Sequence, residues 1–384
     1  MITTQDALTG AIDAIKHQSL IAVDTEFIRE KTYYPQLCLI QIAYGDDVAL
    51  IDPLSGIDLQ PLKEILCNAD ILKLFHSGQQ DLEIFYQLLG EPVYPIFDTQ
   101  VAAALVGMTD QVGYGTYIRT LLGLDLEKGN SFSVWAKRPL TQSQLQYAAD
   151  DVVYLLKSYP VLLSKLKKMD RLSWLEDDFA YRESLEYVSD IAPEKAFRHV
   201  KRASTLNPRQ AAVAREVAAW RQERAIKLDR PRRHILADEC IVEIARKKPK
   251  SGKELKDIRG LSSYALQNKG SILEAVQAGM KKLPNELPVM KGPDKANIEI
   301  EASAQLARAL LTRRAKEYHI APTVLASNAM IEEFVRTPNE SSKLLQGWRK
   351  MMVGDELLAL MQGKIHLSIK DGKLQVVTVN GGSD

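Results

Sequence analysis

The chain has 384 residues, 46% of them hydrophobic and 26% charged, with a net charge of +1. That is room for two or three globular domains, and it excludes a disordered or membrane-spanning chain, because no apolar run approaches the roughly 18 residues a span requires. Three widely spaced cysteines, Cys38, Cys67 and Cys240, exclude a disulfide framework or a cysteine-built zinc site, and an amino terminus without a signal-peptide pattern points to the cytoplasm.

Taken in order, Thr4 is a possible cap for a helix within residues 3–17. A buried strand follows at Leu20-Ile-Ala-Val-Asp-Thr-Glu-Phe27. Residues two apart on a strand share a side, so Asp24 and Glu26 aim both carboxylates at one spot. Two like charges at the end of a core strand are costly unless a cation lies between them. Runs at 37–43 and 48–52 flank the turn Gly45-Asp46-Asp47 and read as a hairpin. A helix near 59–67 and a strand at 71–75 precede His76-Ser-Gly78, which opens a helix over 79–89 carrying Asp81 in its first turn. A short run ends at Asp98, and helices are predicted at 99–107 and 114–122. An irregular stretch, 125–140, holds Trp135 and Arg138. Thr141 caps a long helix reaching about residue 168, with Tyr147 and Asp151 four apart on one face. A strand meander followed by alternating strands and helices predicts a mixed sheet flanked by helices, an α/β domain over 1–170.

Residues 171–203 read as connecting chain and 204–283 as an all-helical domain. Residues 284–297 read as a proline-containing linker, 298–364 as a second helical domain, and 365–384 as a hairpin and tail. The two helical blocks look like an internal repeat, with Ile235–Pro249 laid without a gap on Val324–Pro338. The neutral total hides a division of charge. Residues 1–200 carry 17 Lys and Arg against 28 Asp and Glu, residues 201–282 carry 20 against 9, and residues 283–384 carry 13 against 12. The basic block, with Arg221, Arg224, Arg232 and Arg233 among its cations and few interleaved aromatics, fits phosphate contact more than base stacking. A solvated basic surface is the plainer alternative.

Singly, Asp81 reads as a helix-dipole residue, Tyr147 as core packing and His76 as a structural hydrogen-bonding group. Together, Asp24-x-Glu26, Asp81 and Tyr147-x-x-x-Asp151 resemble the DEDD exonuclease family. Gln146 stands where the histidine subgroup has its histidine, which favours the tyrosine form. Trp135-Ala-Lys-Arg-Pro-Leu140 and Tyr147-Ala-Ala-Asp-Asp-Val152 resemble the ribonuclease D family in particular, and the helical repeats resemble its HRDC modules. One departure is Val134, where that family commonly has Asp before the tryptophan.

The resemblance implies a ribonuclease H-like exonuclease domain and a metal-dependent 3′→5′ exoribonuclease that releases nucleoside 5′-monophosphates, with precursor tRNA 3′ ends as its substrate. It implies two Mg²⁺ or Mn²⁺ ions. Asp24, Glu26 and Asp151 would hold one, Asp24 with water-mediated help from Asp81 would hold the other, and Tyr147 would hydrogen-bond the attacking water. Oxygen donors suit such hard ions. Phe27 is a candidate for stacking on the terminal base, and Trp135 and Arg138 for shaping the substrate channel. Core packing explains Phe27 equally well, and proline-anchored packing explains Trp135 and Arg138 too. His76 is a further candidate for substrate contact beside its structural reading. A DNA 3′ exonuclease shares the acidic motif, and a non-catalytic RNA-binding adaptor would need only the basic block.

Overall fold

The computed structural model describes residues 1–126, 133–189, 191–286 and 298–379. Most of the linker expected at 284–297, part of the irregular stretch before Trp135 and the last residues of the tail lie outside the described residues.

Five strands form one sheet in the order β3-β2-β1-β4-β5, comprising β1 (Leu20–Ile28), β2 (Gln36–Tyr44), β3 (Asp47–Ile51), β4 (Leu72–Phe75) and β5 (Ile96–Asp98). β2 and β3 are antiparallel across Gly45, whose φ of 53° suits the tight turn. β1 pairs with β4 in parallel, Ala22 opposite Leu74, and β4 pairs with β5 in parallel. The sheet is therefore mixed and flanked by helices, as the order of elements predicts. The long helix Gln142–Lys168 starts at a full capping box between Thr141 and Gln144. Its buried residues Val152, Leu155 and Leu162 join Ala22, Leu74 and Phe97 in one apolar core.

Where expectation and structure differ, local chemistry explains it. The helix expected near 59–67 is cut to a turn at Lys63–Leu66, behind a 3₁₀ turn that carries Pro61 at its start. Within the helical domain expected at 204–283, Ser263–Gln267 and Lys269–Lys281 are separated at Asn268, which leaves helical geometry at φ −106°, ψ 30°.

The described chain forms two compact units. One comprises Met1–Glu26, Cys38–Val188 and Ala296–Asp384, and the other Phe27–Leu37 and Ser189–Lys295. In the second unit the helix Pro208–Lys227 is the central element, capped by Asn207 and Gln210. Asp229, just beyond it at φ 47°, accepts from the backbone N–H of Tyr33 (3.0 Å) and Tyr34 (2.9 Å). Gln222 donates to the Tyr33 hydroxyl at 2.7 Å.

In the first unit the carboxy-terminal helices share the apolar core of the sheet and its helices: Ala304, Leu310, Leu311 and Ile320 belong to the same cluster as Val152 and Leu155. Trp174 and Trp348 stack at 4.6 Å, 3° from parallel, with the Arg171 and Arg349 guanidiniums over their rings. Arg171 donates to the Leu105 carbonyl at 2.6 Å and to that of Tyr318. Gly107, at φ +97°, lets the chain pass His319, whose carbonyl lies 3.4 Å from where a Cβ would stand.

The two helical blocks open with the same three elements. A helix (Pro208–Lys227, Ile298–Tyr318), a single turn (Arg232–Ile235, Pro322–Leu325) and a third helix (Asp238–Lys247, Asn328–Arg336) follow in the same order. The register corrects the gapless alignment by one residue. Buried Ala225, Ile235, Ile241 and Ile244 correspond to buried Ala315, Leu325, Ile331 and Phe334, an offset of 90 throughout (225 to 315, 244 to 334). Both single turns end on an extended residue, Leu236 at φ −160° and Ala326 at φ −155°. Burial fixes the repeat where letter-matching slipped, because alanines and isoleucines recur at adjacent positions. The chain ends in the hairpin β6 (Ile365–Lys370) and β7 (Lys373–Thr378), turned by Asp371 and Gly372 at positive φ.

Candidate active site

The second half of β1 and the third turn of the long helix meet. Carboxylate oxygens of Asp24, Glu26 and Asp151 all lie within 4.8 Å of one another. None is freely solvated, and each is pushed upward in pKa, by burial first. Glu26 stands at about 8, with Asp151 and Asp81 adding repulsion. Asp151 stands at about 7, against a lowering hydrogen bond from Tyr147. Asp24 is raised well above the ordinary carboxylate range by burial, then by Asp81, Asp151 and Glu26 in turn. A trio of oxygen donors that penalise one another's ionisation fits a hard divalent cation and does not fit a soft-metal site.

Asp81 is placed differently. It is 7% exposed and receives the Thr25 hydroxyl, while its charge still acts on Asp24. Burial raises it to about 6. It stands beside the trio as a fourth acid. Three residues that sequence reasoning passed over hold it there. Asp98, 1% exposed at the end of β5, accepts from the backbone N–H of Ser77 (3.0 Å) and Gly78 (3.1 Å). Ser77 is held at φ 63°, and a Cβ on Gly78 would stand 2.5 Å from the Phe75 Cβ. The loop that launches the Asp81 helix is thus clamped from β5. A strand-terminal aspartate was the one local signal for it.

The remaining candidates separate. Tyr147 is hydrogen-bonded to Asp151, and Trp135, 3% exposed, lies against it with ring centroids 6.2 Å apart. His76 is structural: Nδ1 meets the Thr99 hydroxyl and Nε2 the Val112 carbonyl, each at 2.9 Å. Arg138 is engaged with the fold. Its guanidinium forms a two-pronged bond to Asp52, at 2.7 Å on each side, and donates to the carbonyls of Cys38 and Trp135 at 2.6 Å. Phe27 continues β1 past Glu26 and is half-buried. In the second unit Arg221 is buried and paired with Asp238 at 2.6 Å, so it holds the fold together and is not offered to phosphate. Arg224 is half-buried, Arg232 lies over the Tyr33 ring at 5.7 Å, and Arg233 is exposed.

Comparison with known proteins points to one family. Residues 1–169 match the 3′-5′ exonuclease family model, and residues 210–276 match the HRDC domain. A ribonuclease D from Gluconacetobacter diazotrophicus is 38% identical over 96% of this chain and 94% of its own length. One from Jannaschia sp. is 38% identical over 98% and 99%. The chain belongs to the ribonuclease D family. The crystal structure of Escherichia coli ribonuclease D, described as an exoribonuclease involved in structured RNA processing, superposes with a TM-score of 0.83 at 32% identity, over 94% of this chain and 98% of that one. As a ribonuclease D homologue the protein is a 3′→5′ exoribonuclease, a hydrolase of phosphodiester bonds, with an exonuclease domain and an HRDC domain. The adaptor alternative falls with this. No helix among the described residues is long and apolar enough to cross a membrane.

Proposed function

We propose that this ribonuclease D trims extra nucleotides from the 3′ ends of precursor tRNA in the cytoplasm, using two Mg²⁺ or Mn²⁺ ions held by Asp24, Glu26, Asp81 and Asp151. The observation that carries the site is the approach of the Asp24, Glu26 and Asp151 oxygens to within 4.8 Å. Ions bound there would acidify a water and neutralise the charge gained by the phosphate. The chain's own residues supply position. Tyr147, one helical turn before Asp151, directs its hydroxyl at the attacking water. Burial, then Asp151, hold its ionisation far above the ordinary range, so it orients that water and does not deprotonate it. The water oxygen bonds to phosphorus, the bond to the 3′ oxygen breaks, and a nucleoside 5′-monophosphate leaves. This is the tyrosine form of the DEDD site.

The second helical block is a second HRDC module, a reading supported by the three elements that open both blocks in one buried register. The boundaries 1–170, 204–283 and 298–364 then mark one nuclease domain and two modules, joined through 171–203 and 284–297 and closed by 365–384. Arg224, Arg232 and Arg233 face the phosphate backbone, with Arg233 the most exposed of them, and Phe27 stacks on the terminal base.

The test is a tRNA carrying extra 3′ nucleotides, digested with Mg²⁺ or with EDTA and resolved to single nucleotides. Stepwise shortening that stops near the mature end and vanishes in EDTA is expected. Internal cuts, or equal trimming in EDTA, would overturn the reading. Faster loss of a matched DNA oligonucleotide would transfer it to DNA.

A further inference from the structure

The acidic cluster is assembled from two elements that its own charge drives apart: β1 brings Asp24 and Glu26, and the long helix brings Asp151. Something must hold that helix against the sheet at this level. Tyr114 is placed to do so. Its hydroxyl donates to the main-chain carbonyl of Asp150 at 3.0 Å, one residue before Asp151. That carbonyl lies inside a helix, and its second lone pair can receive a side-chain donor.

The other end of the tyrosine is tied to the sheet. Its ring meets the edge of His76 at 5.4 Å, and His76 follows β4 directly. His76 Nε2 lies 2.9 Å from the carbonyl of Val112, two residues before Tyr114, and Gln100 Nε2 donates to the same carbonyl at 3.1 Å. β4 in turn pairs with β1, Ala22 opposite Leu74, two residues before Asp24. A short covalent and hydrogen-bonded path thus runs from the strands beneath Asp24 to the backbone beside Asp151. Burial, then the Asp151 and Asp24 carboxylates, push the phenol far above its ordinary pKa, so it remains a donor.

We propose that Tyr114 is a positioning residue of the ribonuclease D site, its hydroxyl holding the long helix at Asp150 so that Asp151 stays within ligand distance of Asp24 and Glu26. This rests on the reading of those acids as metal ligands. Tyr117 supplies a matched control. It lies on the same helix, Tyr114–Leu122, and its buried hydroxyl also meets the long helix, at Ser158, 2.8 Å away and two turns beyond the acids. Both hydroxyls can be deleted by Tyr→Phe with the rings kept.

The experiment measures initial rates of full-length wild type, Tyr114→Phe and Tyr117→Phe on a 3′-tailed RNA across a Mg²⁺ titration, with Mn²⁺ binding and melting temperature measured alongside. For Tyr114→Phe, half-maximal rate is expected to need about tenfold more Mg²⁺, the lower end of what loss of an outer-shell partner costs. Mn²⁺ affinity should fall in step, and the rate should recover towards wild type at saturating metal. Tyr117→Phe is expected to lower the melting temperature and leave the metal titration in place. A Tyr114→Phe titration superposing on wild type overturns the proposal, as does an equal shift in both variants, which would mark general loosening of the helix. A rate that saturating metal does not restore would make the hydroxyl a direct participant and overturn the positioning role. Asp24→Asn, run in the same series, separates the underlying reading: if it retains turnover and Mn²⁺ affinity, the ligand assignment fails whatever Tyr114 does.

Discussion

Asp24, Glu26 and Asp151 hold protons in the folded, metal-free protein that the unfolded chain would give up in the ordinary carboxylate range, near about 4. Their contribution to stability is therefore fully present below that range and is lost as pH rises through the folded values, about 7 for Asp151 and about 8 for Glu26. A divalent ion displaces those protons, so stabilisation by Mg²⁺ should be larger at pH 8 than at pH 6. Melting curves in EDTA and in Mg²⁺ at the two values check this, and a Mg²⁺ increment that shrinks with pH contradicts it. Asp24→Asn removes a charge from the same cluster. It is expected to abolish turnover and to raise the melting temperature of the metal-free protein at pH 8, a pairing that loss of fold would not produce. Arg138 belongs to this scale for a different reason. It is spent on Asp52 and three carbonyls, so Arg138→Ala should cost roughly 3 kcal/mol, typical of leaving a buried partner unpaired. Lys, with no planar fork, should not rescue it in a urea titration.

At the scale of elements, the carboxy-terminal block is joined to the nuclease core by a stacked Trp174–Trp348 pair between two arginines. Such pairs are worth about 1 kcal/mol beyond their buried area. A double-mutant cycle with Trp174→Ala and Trp348→Ala should show coupling of that size, whereas additive effects would mean the rings merely fill space. This block carries 13 basic against 12 acidic residues and buries Ala304, Leu310, Leu311 and Ile320 in the core shared with the sheet. Its near-neutral charge suits a buttress. The helical block before it has the same buried register in its opening elements and carries the cations.

Over the whole molecule, an acidic nuclease segment and a basic helical one share one chain, residues 1–200 with 28 acids and residues 201–282 with 20 bases. An acidic surface repels the polyanion it cleaves, and a basic one raises its local concentration. Arg233→Glu together with Lys250→Glu, both exposed, should raise KM for RNA several-fold with little change in kcat. The same pair should flatten the dependence of KM on salt, since fewer counterions are released. A fall in kcat at unchanged KM would place those residues elsewhere in the mechanism.

What the sequence determined by itself is what short-range periodicity encodes. Strand alternation put Asp24 and Glu26 on one side, the helical repeat put Tyr147 and Asp151 on one face, Thr141 and Gln144 started the long helix, and Asp371-Gly372 turned the final hairpin. What only the tertiary structure decided are pairings between distant residues with no local signature. Asp98 clamps the turn before Asp81, Asp52 claims Arg138 from 86 positions away, and Asp229 holds the backbone of Tyr33 and Tyr34. Asp98 and Asp52 are buried carboxylates whose charge cannot reach water, and which partner satisfies each depends on the fold that brings the two together.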